Sequence, residues 1–469
     1  MDGLKKILNR TDFWIYLFFF IRLIGIINPP LEIGHNWRQT TGLMVARNFY
    51  EIDANILYPR VDDNEGLTGI IGMEFPALNY LHFLISTIFG YSHWYGRLIN
   101  LIITSIGLIC FSKIIKRYFN NRISFASTLI LTSSIWFSFS RKMMPDTFCI
   151  SLVFIGLFYG IKYLDEGKVF DILKYVFFTS LALLSKIPAG IYLVVLIPLM
   201  FDNQNKRRVF TLIIITIIPL VLTFIWYFVW DPYLSIKFGT WYNIGKKFPV
   251  GFNEILSHFS LVLKRFYFSS FYSYIFFVFF VVGIFFMIKN NYKKLLYPFI
   301  LVSLIFIIYI IKSGFYFYHH NYYIIPYVPV MAVVSGYAIS LIKKQWIFFL
   351  ILFLGIIEGI ANQVNDFFIK DSEQYKLELE TIADSISLKN DLIAINGGGN
   401  PQQIYLTHRK GWTINSSQLT DSSFFKKIID KGCKYIFVNK HLFKKKINMN
   451  IVFENKDYVV YELNTKIDK

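Results

Sequence analysis

The sequence has few of the residues that build disulfide-bonded or zinc-binding domains. Its 469 residues include three cysteines, Cys110, Cys149 and Cys433, and no two of them stand in a CxxC or other paired spacing. A disulfide framework and a cysteine-type zinc site are therefore not expected. No repeat of fixed period occurs either, which argues against solenoid and array architectures.

Apolar residues dominate the chain instead. They make up 55% of it, with 50 phenylalanines and a mean hydropathy of +0.47. A soluble core does not need that much apolar surface, whereas lipid-facing helices do. Eleven apolar runs predict membrane spans, at 13–30, 96–114, 122–139, 147–164, 172–186, 188–201, 209–230, 272–288, 295–311, 322–342 and 345–361.

The formal charge of +18 lies largely in short loops between these runs. We interpret it as topology signal and contact with anionic membrane lipid, and expect no nucleic-acid partner. With the N-terminus in the cytoplasm, the positive-inside rule is satisfied. The basic inner clusters are then Lys113/Lys116/Arg117/Arg122, Lys206/Arg207/Arg208, Lys289/Lys293/Lys294 and Lys343/Lys344. This predicts a multi-pass protein of the inner or plasma membrane.

The composition changes after Ala361. Residues 1–361 are expected to form an α-helical polytopic membrane domain, and 362–469 a small soluble α/β domain on the outer face. Gly397–Gly399 lacks the GxGxxG context of a phosphate loop and is interpreted as a turn. The expected elements of the small domain are helices at Glu373–Ile386 and Phe424–Asp430, strands at Leu392–Ile395 and Tyr435–Val438, and a hairpin over Val452–Leu463 turning near Asn455–Lys456.

The first outer segment, 31–95, is polar, aromatic and rich in ionisable groups. A bilayer core does not tolerate such a stretch, so it must lie on a membrane face. From Trp37 to Tyr50 the apolar spacing predicts a helix lying flat on the membrane, with Arg38 and Arg47 off the apolar side. The simpler interpretation is an interfacial helix with a Trp anchor and solvated arginines.

Carboxylates in this segment are candidates for chemistry. Glu74 stands alone between apolar residues, where a charge is costly unless it is paired or used. It is either structural, paired with Arg97 or Arg141, or it binds a hydroxyl-rich substrate. Asp62 belongs to an acidic run, Asp62-Asp63-Asn64-Glu65, which could also be a solvated loop.

Two further outer segments carry polar side chains. Arg141 and Lys142 precede Asp146 at the start of a span, where they could neutralise a lipid phosphate and the acid could favour a helix N-terminus. His319, His320 and Tyr323 lie in an aromatic stretch that an interfacial belt would also explain. Adjacent histidines point to different helix faces, so a shared metal is not expected.

These motifs, taken in order, resemble the GT-C superfamily of membrane glycosyltransferases, and more narrowly its bacterial group similar to protein mannosyltransferases and aminoarabinose transferases. The resemblance covers nearly the whole chain. It rests on His35-Asn-Trp37-Arg38-Gln39 running into Ala46-Arg47-Asn48-Phe49-Tyr50, on Pro59-Arg60-Val-Asp62, Glu74-Phe-Pro76, Phe89-Gly90, Arg97-Leu98, Arg141 through Pro145-Asp146, His320-Asn-Tyr322-Tyr323 with Pro326, and Arg409-Lys410-Gly411-Trp412.

The resemblance implies a GT-C-like fold and inverting transfer of a sugar from a polyprenyl-phosphate donor to a glycan, lipid or protein acceptor at the outer face. It implies no cofactor beyond that donor and leaves a divalent metal open. A first-loop carboxylate commonly acts as base in that superfamily, but its usual Asp-Glu pair corresponds here to Arg38-Gln39, and Thr41 stands where related sequences often carry Asp. The candidate bases are Glu74, Asp62 and Asp146. The candidate substrate-binding residues are His35, Trp37, Arg38, Gln39, Arg60, Arg141, Lys142, His319, His320 and Tyr323.

Two other functions remain open on the sequence. A lipid or glycan transporter (flippase) would place polar groups near the middle of spans and show paired halves, whereas the ionisable groups here collect at the outer boundary. A ligase or polymerase of surface glycans would share the lipid-linked donor.

Overall fold

The computed structural model describes residues 10–32, 34–198, 205–239 and 245–463. They form two compact units. The first comprises the described residues of Met1–Ile26, Arg97–Val229 and Asn243–Phe367. The second comprises those of Ile27–Gly96, Trp230–Tyr242 and Phe368–Lys469.

The first unit is built from helices. Its α-helices, counting those that lie mostly within it, are Thr11–Arg22, Tyr95–Tyr118, Asn121–Ser133, Trp136–Phe139, Pro145–Glu166, Val169–Ser185, Lys206–Ile225, Phe248–Ser257, Phe259–Lys264, Tyr274–Lys289, Lys293–Ser313, Phe315–His319, Val328–Ser340 and Gln345–Ala361. Shorter 3₁₀ segments are Ile187–Val195, Asn321–Ile324 and Val364–Phe367, and π-helical turns are Trp226–Trp230 and Arg265–Ser269. The predicted helical membrane architecture is confirmed.

Each of the eleven predicted spans overlaps one of these helices, although the span 188–201 runs into residues outside the described ranges. Four described helices are long and apolar enough to cross a membrane, namely Tyr95–Tyr118, Pro145–Glu166, Lys206–Phe238 and Lys293–Ser313. Lys206–Phe238 is the helix Lys206–Ile225 continued through the π-helical turn Trp226–Trp230 and the helix Asp231–Phe238. A fifth span results if Phe259–Ser269 and Tyr274–Lys289, which meet at a bend of 101°, are one broken helix. The shorter apolar helices are Ala77–Phe89, Ile187–Pro198, Val328–Ser340 and Gln345–Ala361.

The short helices show why hydropathy alone does not fix the number of crossings. Val328–Ser340 has nearly all of its side chains buried in protein. An apolar run of this length marks a buried core helix as well as it marks a lipid-facing span. Its preceding turn, Asn321–Ile324, is 3₁₀ and lies before Pro326, which cannot donate a backbone hydrogen bond.

An acid inside an apolar helix has a structural explanation. The carboxylate of Glu358, on Gln345–Ala361, accepts hydrogen bonds from Ser273 Oγ at 2.6 Å and from the backbone N–H groups of Tyr274 at 3.0 Å and Ile275 at 3.2 Å. Glu358 therefore caps the N-terminus of Tyr274–Lys289 from another helix.

The second unit contains a five-stranded sheet. Its strands are β1 (Leu392–Ile395), β2 (Lys410–Thr413), β3 (Cys433–Asn439), β4 (Asn450–Glu454) and β5 (Tyr458–Glu462). Their order is β2-β1-β3-β5-β4, with β1 parallel to β2 and β3, and β5 antiparallel to β3 and β4. The helices beside it are Leu379–Ile386, Gln402–Thr407 and Ser422–Asp430, with 3₁₀ segments Asp371–Glu378 and Gln418–Thr420.

The strands, the hairpin and the helix at Phe424–Asp430 predicted for the tail are confirmed. Of the helix predicted at Glu373–Ile386, only Leu379–Ile386 is α-helical, and Asp371–Glu378 is 3₁₀. The hairpin turns at Asn455, whose side-chain oxygen accepts from the N–H groups of Asp457 at 2.9 Å and Tyr458 at 2.7 Å. The strand β2 was not predicted, because four residues that include a glycine show no alternation of apolar and polar side chains. Trp412, Ile428 and Ile436 are buried in the core of the sheet.

The polar segment between the first spans folds with this sheet. It contributes the helices Asn36–Glu51 and Ala77–Phe89, which share a core of Val45, Phe49 and Phe83. Gly411 of β2 accepts from the N–H groups of Asn64 at 3.0 Å and Glu65 at 2.8 Å, and donates to the carbonyl of Asp62 at 3.0 Å.

The close contact explains why position 411 is glycine. Its φ is +143°, and a Cβ there would lie 2.0 Å from the carbonyl oxygen of Ile393. By packing, the predicted outer loop 31–95 thus belongs to the same unit as the described residues from Phe368 onward, whereas the first six residues of the predicted domain 362–469 pack with the first unit.

Candidate active site

The predicted site residues divide between the two units. His35, Trp37, Arg38, Gln39, Arg60, Asp62 and Glu74 belong to the second unit, and Arg141, Lys142, Asp146, His319, His320 and Tyr323 to the first. Each group has its own geometry.

Glu74 forms a salt bridge with Arg38. Arg38 lies in the first turn of the helix Asn36–Glu51, and Glu74 precedes Pro76, the residue at which the helix Ala77–Phe89 starts. The prediction that a structural Glu74 would pair with Arg97 or Arg141 is wrong, because the loop returns to its own first helix. The side chains are 31% and 19% exposed, although the Glu74 Oε1 atom itself is buried.

A second pair, Arg47 and Asp62, is enclosed. Arg47 Nη2 lies 2.7 Å from Asp62 Oδ2, and Asn48 Nδ2 donates to Oδ1 at 2.9 Å. The guanidinium also lies 4.3 Å from the centre of the Tyr405 ring. Both side chains are nearly inaccessible, at 6% and 3% exposed. The expectation that Arg47 lies off the apolar side, in solvent, is therefore wrong.

The electrostatics of Arg47 fit a structural role. Burial would lower its pKa, but the Asp62 carboxylate outweighs this and raises the pKa above the ordinary arginine value. Since both carboxylate oxygens of Asp62 already accept hydrogen bonds, it is the least available of the three predicted bases. The sequence signal was present in Arg47-Asn48 ahead of Arg60-Val-Asp62, but spacing alone did not show that the segments meet.

The remaining residues of this group belong to the helix Asn36–Glu51, called the loop helix below, or to the segments beside it. Trp37 is 56% exposed and lies beside Gly399, and Gln39 Nε2 donates to the carbonyl of Gly34 at 3.2 Å. His35 precedes the helix in a left-handed conformation, at φ 56°. Arg60 is engaged with Asp53 at 3.0 Å.

In the first unit Asp146 pairs with Lys186. Asp146 occupies the first turn of the helix Pro145–Glu166, where an acid is favoured by the helix dipole, as predicted. The Lys186 ammonium also lies 5.1 Å and 5.5 Å from the ring centres of Tyr322 and Tyr323. Asp146 is 3% exposed, and its Oδ2 is buried without a hydrogen-bond partner among the described residues.

Lys186 was missed by the sequence analysis. It is the last residue of the predicted span 172–186, directly after the helix Val169–Ser185 and before Pro188, and was treated as a boundary. A lysine inside an otherwise apolar stretch is itself a functional signal, because its charge must be paired at that depth.

Arg141 and Lys142 are both about 1% exposed. Lys142 Nζ lies 3.2 Å from Asp366 Oδ2, and the Arg141 guanidinium lies 4.1 Å from the centre of the Phe367 ring. Asn100 orients this turn, since its side-chain amide donates to the carbonyls of Lys142 at 2.8 Å and Phe139 at 3.1 Å. Neither Asp366 nor Asn100 was predicted.

The histidines lie in an aromatic stack. His319 ends the helix Phe315–His319 and stacks on Phe315 at 4.7 Å, whereas His320 stacks on Tyr322 at 5.1 Å. The ring planes of His319 and His320 are 84° apart, in an edge-to-face arrangement.

The described residues of neither unit assemble a metal site. No group of three His, Cys, Asp or Glu side chains with metal-ligand geometry occurs among the described residues. Each predicted carboxylate already carries a cationic partner, which Arg38, Arg47 and Lys186 provide. A donor set that is already neutralised does not fit a divalent cation.

One family model matches part of the chain. Residues 74–230, which include Glu74, Arg141, Asp146 and Lys186, match the dolichyl-phosphate-mannose-protein mannosyltransferase family. No curated protein matches the chain in sequence.

The fold is similar to that of ArnT from Cupriavidus metallidurans. The apo structure of ArnT has a TM-score of 0.59 at 12% identity, over 96% of this chain and 98% of ArnT. The fold is that of the GT-C membrane glycosyltransferases, and the predicted resemblance is confirmed.

Two further structures have the same fold. ArnT bound to undecaprenyl phosphate has a TM-score of 0.59 at 13% identity, over 96% of this chain and 98% of that one. The Archaeoglobus fulgidus oligosaccharyltransferase in complex with Zn and sulfate has a TM-score of 0.59 at 11% identity, over 90% of this chain and 68% of that one. At these identities the likeness establishes the fold, with its multi-pass membrane architecture, and not the substrate.

Proposed function

We propose that this protein transfers a sugar from a polyprenyl-phosphate donor to a glycan, lipid or protein acceptor at the outer face of the membrane, with inversion at the anomeric carbon. The observation that carries the proposal is the GT-C fold along 96% of the chain. The match of 74–230 to a mannosyltransferase family and the undecaprenyl phosphate bound by ArnT support a lipid-linked donor. The basic loops on the opposite side of the predicted spans support the orientation.

Glu74 is the proposed general base. It is the most exposed of the three candidate carboxylates, at 19%, and Arg38 fixes its position. Glu74 takes the proton of the acceptor hydroxyl as that oxygen attacks the anomeric carbon. The bond from carbon to phosphate oxygen breaks through an oxocarbenium-like state, and the polyprenyl phosphate leaves with the electron pair.

The cations of the first unit are assigned to the departing phosphate. Arg141, Lys142, Lys186 and His320 supply positive charge or hydrogen-bond donors where negative charge develops. Their enclosure in aromatic rings strengthens the effect, since a charge interaction is worth more away from water. Asp146 orients Lys186 through their salt bridge.

Purified protein incubated with a set of polyprenyl-phosphate sugars and candidate acceptors tests the proposal. Consumption of one donor, with a glycosylated product of inverted anomeric configuration, is expected. Glu74→Gln should lower the rate about 10²–10⁴-fold, whereas Glu65→Gln, an exposed acid of the same loop, should not. Movement of an intact lipid-linked sugar across vesicles without its consumption would favour a transporter instead.

A further inference from the structure

A cavity of about 660 Å³ lies among the helices of the first unit. Its walls come from Tyr95–Tyr118, Pro145–Glu166, Ile187–Val195, Lys293–Ser313 and Val328–Ser340. Phe111, Leu157, Ile300 and Val333 are typical of the lining, which is almost entirely apolar. Such a cavity suits a hydrocarbon chain better than a polar ligand.

One end of this cavity, called the groove below, is cationic. Lys293 and Lys294 both line it and are exposed, and neither makes an ion pair with a described residue. No Asp or Glu contributes to the described lining. The two lysines occupy the first turn of Lys293–Ser313, where the helix dipole adds further positive potential. An anionic group is therefore favoured at this end.

The cationic end is far from the candidate-site residues of the same unit. Lys293–Ser313 has 21 residues, so its ends are about 30 Å apart, and the aromatic stretch with His319, His320 and Tyr323 follows its far end. The helix Pro145–Glu166 also has a candidate-site residue at one end and the groove at the other. Asp146 lies in its first turn, and the groove residue Ile161 is four turns further on. The cationic end thus lies at the opposite end of these helices from the candidate-site residues.

We propose that this groove binds an anionic membrane phospholipid, with an acyl chain along the apolar lining and the headgroup phosphate at Lys293 and Lys294. Basic pockets between membrane helices favour such headgroups because the lysine charge and the interfacial position act together. The polyprenyl-phosphate donor has similar chemistry, but its phosphate must reach the candidate-site residues, about a helix length away. The choice of a phospholipid over the donor rests on the proposed function.

Native mass spectrometry of the full-length protein with phosphatidylglycerol tests the headgroup contact. The Lys293→Ala/Lys294→Ala variant should bind the lipid about 30-fold more weakly, since each lysine near a membrane surface contributes about a factor of five. Lys343→Ala/Lys344→Ala is the matched control. It removes another exposed lysine pair, just before the helix Gln345–Ala361, without touching the groove.

A second variant pair tests the groove itself. Ile300→Trp should fill the cavity and displace the lipid, whereas Ile308→Trp, on the same helix outside the lining, should not. Both positions are at least 42% exposed, so both variants should fold. The proposal would be overturned if all four variants retained phosphatidylglycerol equally, or if the protein retained phosphatidylcholine as well as phosphatidylglycerol. It would also be overturned if Ile300→Trp displaced polyprenyl phosphate but not phosphatidylglycerol.

Discussion

The helix Asn36–Glu51 carries two arginines, and each forms an ion pair with a carboxylate that follows the helix in sequence. The two pairs differ in their exposure to water. Arg38 and Glu74 are 31% and 19% exposed, whereas Arg47 and Asp62 are 6% and 3% exposed. The arginines are nine residues apart on Asn36–Glu51, which places them about 180° apart around the helix axis. The difference in exposure follows position along the helix, because Arg38 lies in the partly exposed first turn whereas Leu43–Phe49 are all buried.

The largest expected effect comes from breaking the enclosed pair. Asp62→Asn leaves Arg47 charged and buried, which should lower the free energy of unfolding by about 3–5 kcal/mol. Thermal unfolding in detergent measures this. Asp53→Asn breaks the pair with Arg60, in which the carboxylate is 42% exposed, and should cost less than about 1 kcal/mol. Similar losses in both variants would remove the contrast between buried and exposed pairs.

Breaking the accessible pair should affect activity more than stability. Arg38→Gln should change the free energy of unfolding by no more than about 1 kcal/mol. Transfer should fall about 10-fold or more, because Glu74 loses the partner that fixes its position. Arg47→Gln should instead lower the free energy of unfolding by a large amount. If both variants unfolded alike, the accessible pair would have a structural role as well.

Asp63, beside the enclosed pair, is a carboxylate with no cationic partner among the residues that the structure describes. Burial raises its pKa to about 6, even though the Thr413 N–H donates to it at 2.9 Å. A carboxyl whose folded pKa is raised loses stabilisation as pH rises from its unfolded value of 3.8 through 6. Asp63→Asn should therefore raise the unfolding temperature at pH 7.5, with the gain disappearing near pH 4. A loss of stability at pH 7.5 would contradict this.

The smallest expected effect concerns His408, which joins the loop helix to the small domain. Its ring nitrogens lie 2.7 Å from Glu380 and 2.7 Å from Glu51, and the hydrogen bonds to these carboxylates raise its pKa above 6.5. The same hydrogen bond lowers the pKa of Glu380 to about 2. The stabilisation should be complete below pH 6.5 and be lost as pH rises through the raised pKa of His408.

Unfolding temperatures of the wild type and His408→Gln, measured from pH 5.5 to pH 9, check this expectation. Their difference should be largest at the acidic end and should shrink as the pH rises. A difference that is constant with pH would show that the ring contributes packing and not charge.

The sequence predicted the classes of structure better than the pairings. The loop helix Asn36–Glu51 and the hairpin at Asn455 follow from local periodicity and turn chemistry, and the structure contains both. The apolar runs predicted helices, of which four in the described residues are long and apolar enough to cross a membrane. Glu74 was singled out because an isolated acid among apolar residues must have a purpose. Its partner was predicted wrongly, because the path of the loop decides which arginine it meets.

The missed residues share a cause. Lys186 and Asp366 lie at the ends of apolar runs, where charges are routinely attributed to solvent. Their partners are 40 and 224 positions away in sequence, at Asp146 and Lys142. Contacts at such separation depend on how helices pack, which hydropathy does not encode.

The rate of sugar transfer per folded molecule, compared between Glu74→Gln and Asp62→Asn at a temperature where both are folded, tests the central claim most directly. We expect Glu74→Gln to be slower by about 10²–10⁴-fold at unchanged stability. We expect folded Asp62→Asn to retain most of its activity. Wild-type turnover by Glu74→Gln, or a loss confined to Asp62→Asn, would contradict the assignment of the accessible pair to catalysis.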